Sequence, residues 1–386
     1  MSDRFWGFRR PDGSVGVRNH LLVLSLAGLT VPTARRIGSC IQGALVIGNP
    51  YGAGLLGHDR DVSERALRGF VTHPNVGAIL LIGDNPPVME RMAAIAEATG
   101  KPFAALTMDD CDHDAITLTE RGIRGGAALA HGLSRQRRSR ASLSALSIGM
   151  ECGRSDPSSG LVSNPLLGLV SDRLVAAGGR SMIGETTEWL GAEHLLARRA
   201  VSQEVGEAVR NAVLAREQMA VAAGIDLTGN NPGPTNIAAG LSSIEEKSLG
   251  NICKSGAAPV QGVLGYGEAP RGPGLWVMDG AAYSPESLTG FAVAGAQIML
   301  FTTGVGNSFV NSLAPTIKVC ANPVSARNLG QQVDYDASQV FSGARSLAAA
   351  ASELFETLID VASGSRTWGE ILGEGDEVVS RYGAAL

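Results

Sequence analysis

The feature that most constrains this chain is a repeated alternation of short apolar runs with segments of helical periodicity. Apolar runs lie at residues 20–26, 44–48, 76–82 and 102–108, and a segment of helical periodicity follows each of them. Such runs are typical of strands buried on both faces, and strands that alternate with helices predict a parallel sheet. The pattern therefore indicates an α/β module at the start of the chain.

The alternation restarts after a basic segment at residues 135–140. We predict further helices at 164–177, 192–222, 285–296 and 342–363, and further strands at 144–150, 180–184, 260–264, 275–278, 298–302 and 317–320. With 386 residues the chain is too long for one ordinary core. The predicted fold class is α/β, with two Rossmann-like parallel-sheet modules that carry helices on both faces. The predicted domains are an N-terminal α/β domain, 1–134, and a C-terminal α/β catalytic domain, 141–386.

Charge and composition exclude several functional classes. The net charge is −5 and the pI about 5.8, and the basic segment 135–140 lacks aromatic neighbours, so we predict no nucleic-acid partner. No apolar run reaches the roughly 18 residues that a membrane span needs. The five cysteines form no Cys-x-x-Cys pair, which weighs against structural zinc and iron–sulfur sites, and their odd number favours a reducing compartment. We therefore expect a cytoplasmic protein with no membrane partner.

The richest polar segment of the chain is the turn at residues 149–160. It carries the thiol of Cys152, the carboxylate of Asp156 and several serine hydroxyls, and it directly follows a predicted strand. Ligands of open α/β sheets bind at the carboxyl ends of strands, so this turn is a candidate site. Because Ser and Asp also cap helices, a helix-capping loop is the alternative.

A second polar group follows the predicted strand at 180–184. Glu185 and Glu188 come directly after it, and Glu193 and His194 lie at the start of the next helix. Carboxylates and imidazoles suit Fe²⁺, Mn²⁺, Mg²⁺ or Zn²⁺. Acidic residues in a first helical turn also complement the helix dipole. That second interpretation is favoured for Glu193, whereas the strand-end position of Glu185 favours a functional role.

Other polar residues have open interpretations, and several known motifs are missing. His58 follows a glycine turn after the second predicted strand, where a ligand site or a structural histidine would both fit. Asn230, Asn236 and Lys247 would bind a polyhydroxy acid, or the amides would only build turns. The chain has no P-loop, no Gly-x-Gly-x-x-Gly after its first strand, no Gly-x-Ser-x-Gly and no His-Glu-x-x-His, which weighs against nucleotide, nicotinamide, serine-hydrolase and zincin chemistry.

From about Gly7 to Asp336 the chain resembles the altronate/galactarate dehydratase family. The resemblance is carried, in order, by Gly7–Gly13 with Gly16–Asn19, Cys152–Asp156, Gly184–Thr186 with Gly191–Leu196, Asn231–Asn236, Glu245–Gly250 and Phe301–Gly304. It implies a metal-dependent lyase, typically using Fe²⁺, with Mn²⁺ or Mg²⁺ as alternatives, that dehydrates sugar acids to 2-keto-3-deoxy acids. A branch of the family eliminates sulfite from sulfolactate instead.

On this resemblance we predict roles for the polar residues found above. The predicted metal ligands are Cys152, Asp156, Glu185 and His194. The predicted catalytic residues are His58, Cys152 and Lys247. The residues predicted to bind substrate anions and hydroxyls are Arg18, Arg154, Ser155, Asn230 and Asn236.

Two departures from the family pattern leave alternatives open. Ala53 stands where the family usually has a cysteine, and Arg154 where glycine is common. A cationic Arg154 would favour a second carboxylate or a sulfonate on the substrate. We expect a homo-oligomer, with a separate small subunit supplying the family's missing N-terminal domain. The alternatives are a sulfo-lyase acting on sulfolactate, a non-catalytic sugar-acid-binding subunit and a nicotinamide oxidoreductase.

Overall fold

The computed structural model describes residues 3–227 and 231–383, which fold as two compact units. The N-terminal unit contains residues 6–141, 312–314 and the chain from 379 onward. The C-terminal unit contains the chain up to residue 5, residues 142–311 and residues 315–378. Within the described part of the chain, no helix combines the length and the apolar character that a membrane crossing requires.

The helices and strands alternate along most of the chain. The described strands are β1 (Arg4–Arg9), β2 (Val15–Gly16), β3 (His20–Ser25), β4 (Ala44–Gly48), β5 (Val76–Gly83), β6 (Phe103–Thr107), β7 (Ser139–Ser142), β8 (Ser147–Cys152), β9 (Arg180–Ile183), β10 (Val260–Leu264), β11 (Gly274–Met278), β12 (Ile298–Thr302), β13 (Val310–Asn311), β14 (Thr316–Cys320), β15 (Tyr335–Asp336) and β16 (Gly375–Asp376). The described α-helices are α1 (Val31–Ser39), α2 (Gly57–Thr72), α3 (Pro86–Ala98), α4 (Ala115–Leu133), α5 (Asn164–Ala176), α6 (Glu193–Arg198), α7 (Gln203–Ala222), α8 (Pro234–Ala238), α9 (Ile244–Ile252), α10 (Ser284–Val293), α11 (Pro323–Asn328), α12 (Ser338–Phe341), α13 (Leu347–Ser363) and α14 (Trp368–Leu372).

The N-terminal unit is built on a parallel sheet with the described order β4-β3-β5-β6. Its central strand β5 is buried along its whole length, as its apolar run predicts. Leu21, Ile37, Leu80 and Leu118 belong to one apolar core that joins the sheet to α1 and α4. If these four strands are numbered in chain order, their order across the sheet is 2-1-3-4. The connection that leaves β3 leads to one side of the sheet and the connection that leaves β5 leads to the other, so the two diverge between β3 and β5. A crevice for a ligand is expected at the carboxyl end of that strand pair.

The C-terminal unit contains a larger parallel sheet, whose described strands have the order β10-β11-β9-β8-β12-β14-β15. The strands β8, β11, β12 and β14 are buried throughout. Strand β8 lies between β9 and β12, with Met150 opposite Ile183 and Cys152 opposite Thr302. This arrangement confirms the predicted α/β class with Rossmann-like parallel modules. It also brings the carboxyl ends of β8 and β9 side by side.

The long helix predicted at 192–222 is wrong, because the chain leaves the helix at residues 199–202. Arg199 accepts the amide of Val260 at 3.0 Å, and the amide of Val201 donates to Val260 at 3.1 Å. This pairing takes the segment toward β10, and Ser202 then caps α7 through the amide of Val205. Two helices, α6 and α7, replace the predicted one.

The helix predicted at 342–363 begins later than the sequence suggests. Helix α13 begins at Leu347, after the Ser346 hydroxyl accepts the amide of Ala349 at 3.2 Å. The apolar periodicity identified the helix, but the serine cap sets where it starts.

Candidate functional site

The candidate site lies at the carboxyl ends of β8 and β9. Strand β8 ends with Glu151 and Cys152, and Glu185 lies two residues beyond the end of β9. Because β8 and β9 are parallel neighbours, these three side chains leave the sheet at one edge. All three residues are buried.

Glu185 and Lys254 form an ion pair in which both side chains are completely buried. The Lys254 ammonium donates to Oε2 of Glu185, and Oε1 of Glu185 has no hydrogen-bond partner among the described residues. Burial raises the pKa of Glu185 to about 7, although the nearby Lys254 cation opposes the shift. Burial lowers the pKa of Lys254, but the surrounding acidic groups outweigh it and the net pKa is raised. The carboxyl of Glu185 can therefore exchange a proton near neutral pH while Lys254 stays charged.

Glu185 also occupies an unusual backbone conformation. Its φ of 67° lies in the left-handed region, which a non-glycine residue rarely adopts. The next residues form a 3₁₀ turn at Thr186–Trp189, and the buried Trp189 indole donates to the carbonyl of Gly184 at 2.8 Å. The turn thus fixes the position from which the Glu185 side chain reaches Lys254.

Glu151 places a second carboxyl in the same buried region. The Ser287 hydroxyl donates to its Oε2 at 2.6 Å, while Oε1 has no partner in the described residues. Burial, together with the neighbouring Glu185, raises the pKa of Glu151 well above its ordinary value. The direction of this shift is the expected one, because a second buried charge beside Glu185 would be costly.

Cys152 faces hydroxyl and amide groups. Its Sγ lies 2.7 Å from the Ser155 hydroxyl, and the side-chain amide of Asn164 donates to it at 3.6 Å. Asn164 is held in turn by the Thr302 hydroxyl, which donates to its Oδ1 at 2.6 Å. Burial raises the pKa of Cys152, even though Lys254 opposes the shift. The side chain is therefore a neutral thiol at pH 7.

A second ion pair, Glu188–Lys247, stands at the margin of the buried cluster. The Lys247 ammonium donates to Glu188 Oε1 and to Asn231 Oδ1, each at 2.6 Å, and Asn251 donates to Glu188 Oε2 at 3.1 Å. The Lys247 side chain is 10% exposed, whereas the Lys254 side chain is fully buried. The Glu188–Lys247 side of the cluster is therefore closer to solvent.

The turn after β8 is organised around Asp156. Its Oδ1 accepts the hydroxyls of Ser158 and Ser159 at 2.6 and 3.2 Å, and its Oδ2 accepts the Asn322 amide at 2.7 Å. Arg154 is exposed and left-handed, with φ 55°. These contacts give Asp156 the turn-building role that was the alternative interpretation of this segment.

Comparison with known proteins identifies the family. Residues 143–385 match the model of the D-galactarate/altronate dehydratase C-terminal domain, and residues 7–131 match the second domain of D-galactarate dehydratase/altronate hydrolase. The chain belongs to the galactarate/altronate dehydratase family. The predicted resemblance is thereby confirmed.

Three relatives in this family show the range of reactions named within it. The chain is 36% identical to the (2R)-sulfolactate sulfo-lyase subunit beta of Chromohalobacter salexigens, over 98% of this chain and 97% of that protein. It is 31% identical to the altronate dehydratase of Escherichia coli, over 94% and 74% of the two chains. It is 33% identical to the L-threo-forming galactarate dehydratase of Escherichia coli, over 61% and 45%. Membership in this family of lyases supports lyase chemistry at a general level.

The predicted metal ligands of this family member have different bonding partners, although Cys152 and Glu185 share one buried edge of the sheet. Glu185 is paired with Lys254, Cys152 contacts Ser155, Asp156 is bonded within its turn, and the His194 side chain is exposed on α6. Among residues 3–227 and 231–383, no three His, Cys, Asp or Glu side chains are grouped so as to hold a metal ion. The described residues thus offer no preformed site that fits the predicted metal.

The remaining predicted residues are distributed over both units. In the C-terminal unit, Asn236 donates to the carbonyl of Ser155 at 2.9 Å, and Lys247 belongs to the second ion pair. Asn230 lies outside the described residues. In the N-terminal unit, Arg18 is buried and donates to the carbonyl of Val17 at 2.8 Å, and His58 packs against the Tyr382 ring with centroids 5.7 Å apart.

Sequence reasoning missed Lys254 and Glu151. Glu151 lies within the polar turn at 149–160 but was given no role there, and Lys254 lies in a short segment between α9 and β10 with no motif of its own. A lysine next to an apolar helix end is a weak signal, because lysine side chains often extend from such positions to solvent. Burial alone distinguishes Lys254 from an ordinary surface lysine.

Proposed function

We propose that this protein is a hydro-lyase that removes water from a sugar acid or related 2-hydroxy carboxylate to give a 2-keto-3-deoxy acid. One observation carries the proposal: in a chain of a lyase family, the buried carboxyl of Glu185 has a pKa of about 7, lies next to the Lys254 cation and keeps one oxygen without a partner among the described residues. In a buried ion pair with a purely structural role, both carboxylate oxygens usually accept a hydrogen bond, because an unpaired buried acceptor is costly. The Oε1 of Glu185, which has no partner among the described residues, supports a reacting group at this position.

In the proposed reaction Glu185 is the general base. A base with a pKa near the working pH combines the correct protonation state with sufficient driving force for proton transfer. Its Oε1 takes the proton from C2 of the substrate while Oε2 stays bound to Lys254. Lys254 acts as a positioning residue that holds this carboxylate. It also places positive charge where the enediolate develops.

Lys247 is the proposed acid for the leaving group, because it stands at the more exposed margin of the cluster. The C2–H bond breaks, its proton goes to Glu185, and its electron pair is delocalised into the substrate carboxylate as an enediolate before it forms the C2=C3 bond. The C3–O bond breaks in the same process, and the departing hydroxide takes a proton from Lys247 and leaves as water. The enol then loses its hydroxyl proton and gains a proton at C3, which gives the 2-keto acid.

The divalent metal, with Fe²⁺ as the first choice, stays a prediction of the family resemblance. Since the described residues present no group that would hold it, no step above is assigned to it. The assay therefore compares turnover with and without added Fe²⁺.

A second candidate, release of sulfite from sulfolactate, is supported by how fully the chain matches one relative. The alignment spans 97% of the sulfo-lyase subunit beta but only 74% of the altronate dehydratase. In this case the C3–S bond breaks, sulfite leaves, and the enol tautomerises to pyruvate. The exposed Arg154 cation would favour the additional sulfonate. The word "subunit" in the relative's name also supports our proposal of a small partner subunit.

The test is an anaerobic screen of altronate, galactarate and sulfolactate, with the readouts 2-keto acid and sulfite. It is run with and without Fe²⁺, and with and without a candidate small subunit. We expect Glu185→Gln to abolish turnover without unfolding the protein, whereas Glu207→Gln, an exposed acid on α7, should be neutral. We expect kcat/KM to rise with pH through about 7, as Glu185 loses its proton.

Three results would each remove part of the proposal. A normally active Glu185→Gln protein excludes Glu185 as the base. Sulfite production without dehydration of either sugar acid replaces the first function by the second. Substrate binding without any product, in all arms, favours the non-catalytic binding subunit.

A further inference from the structure

The N-terminal unit contains a cavity of about 510 Å³ that no step above uses. It lies at the carboxyl ends of β3, β4 and β5, and its walls include Leu26, Asn49 and Asp84, one from beyond each of these strands. The sheet's connections diverge between β3 and β5, and crevices at such points are the usual ligand sites of open α/β sheets. Topology and volume therefore indicate a small-molecule site.

The polar lining of this crevice includes one acceptor at the end of β5 that no described residue engages. The carboxylate of Asp84 is partly buried, and no hydrogen bond or ion pair joins it to the residues that the structure describes. The first turn of α3 does not need it, because Asn85 caps that helix through the amide of Val88 at 3.2 Å. Asn49 is also engaged, since it accepts the amide of Tyr51 at 3.2 Å and donates to Leu26 at 3.0 Å. Asp84 therefore remains to accept hydrogen bonds from a ligand.

The other walls limit what that ligand can be. Leu26, Leu67 and Met92 are buried and form an apolar part of the lining. Arg91 lies on the wall formed by α3, but it already contacts Glu64 at 3.3 Å, and both side chains are about half exposed. Exposed ion pairs of this kind are weak and can open to admit an anionic group.

From this combination we infer that the crevice of the N-terminal unit binds a polyhydroxylated ligand, a sugar or sugar acid, whose hydroxyls donate to Asp84. The C–H faces of such a ligand lie against the apolar wall, and a carboxylate, where present, lies at the Arg91 side. The sugar-acid form of the ligand rests on the proposed function, whereas the role of Asp84 does not.

The test uses galactarate and galactitol, which share a carbon skeleton and differ in their terminal carboxylates. Binding to the full-length protein is measured by calorimetry, and the site is located by hydrogen–deuterium exchange. We expect protection at residues 49–55 and 84–92. We expect Asp84→Asn to weaken binding about tenfold, because charge-assisted hydrogen bonds are stronger than neutral ones. The matched control is Glu90→Gln, an exposed acid of α3 outside the lining, which should change nothing.

The outcomes separate this inference from the proposed function. Glu185→Gln should lose turnover but keep the protection at 49–55 and 84–92; loss of that protection would place the ligand elsewhere and overturn the inference. Absence of protection by both ligands, or unchanged affinity in Asp84→Asn, also overturns it. If galactitol binds as tightly as galactarate, recognition runs through the hydroxyls alone. If galactarate binds and galactitol does not, Arg91 contributes as well by contacting the carboxylate.

Discussion

Replacing Lys254 by methionine tests the electrostatic reasoning behind the site most directly. The change keeps the side-chain volume but leaves the fully buried Glu185 without its cation. Removing one partner of a buried ion pair typically costs about 3–5 kcal/mol. We expect the free energy of unfolding to fall by that amount at pH 8. At this pH Glu185 must either carry an unpaired buried charge or bind a proton that is scarce in the solvent.

The loss should depend on pH in a defined direction. In the wild type the pKa of Glu185 is raised from 4.5 to about 7, so the folded state binds more protons than the unfolded state between these values. This linkage removes about 3 kcal/mol of stability as pH rises through that window. Without Lys254 the pKa rises further, so the destabilisation should grow with pH. At pH 5 it should fall to about 1 kcal/mol, the scale of a volume-conserving substitution.

The measurement is urea unfolding at pH 5 and pH 8, followed by tryptophan fluorescence, since three of the four tryptophans, including the buried Trp189, lie in the C-terminal unit. The double variant Glu185→Gln/Lys254→Met removes both charges and should recover most of the loss at pH 8. An equal loss at the two pH values, or no recovery in the double variant, would refute the claim that the two groups are electrostatically coupled.

Three further predictions concern other parts of the molecule. Iodoacetamide at pH 8 should modify the exposed Cys40 well before Cys152, because Cys152 is buried and its pKa is raised; faster labelling of Cys152 by mass spectrometry would contradict this. Asp172→Ala should destabilise the C-terminal unit by about 1–2 kcal/mol, since its carboxylate accepts the backbone amides of residues 257 and 258; unchanged denaturation midpoints would argue against it. Asp59→Ala should speed proteolysis after residue 378, because Asp59 accepts the amides of Tyr382 and Gly383 at 2.8 and 2.6 Å; cleavage rates equal to wild type would exclude this anchoring role.

Much of the architecture can be predicted from local pattern. The apolar runs at 44–48, 260–264 and 298–302 coincide with β4, β10 and β12. The inner strand β12 is buried on both faces and is therefore apolar along its whole length, while β4 and β10, at the ends of their described strand orders, are apolar but only partly buried. The same pattern placed Cys152 and Glu185 after predicted strands, since polar residues after such runs mark the carboxyl edge of the sheet.

The sequence by itself thus determined the α/β class and the edge of the sheet at which polar groups gather. Only the tertiary structure decided which groups meet there. Lys254 reaches Glu185 across 69 residues of sequence, and the predicted helix 192–222 is broken because its backbone pairs with Val260. Periodicity records which side of an element faces the core, and it is a local property. The partner of a buried charge or of a free backbone amide is set by distant chain segments, because burial makes an unpaired polar group too costly to leave alone.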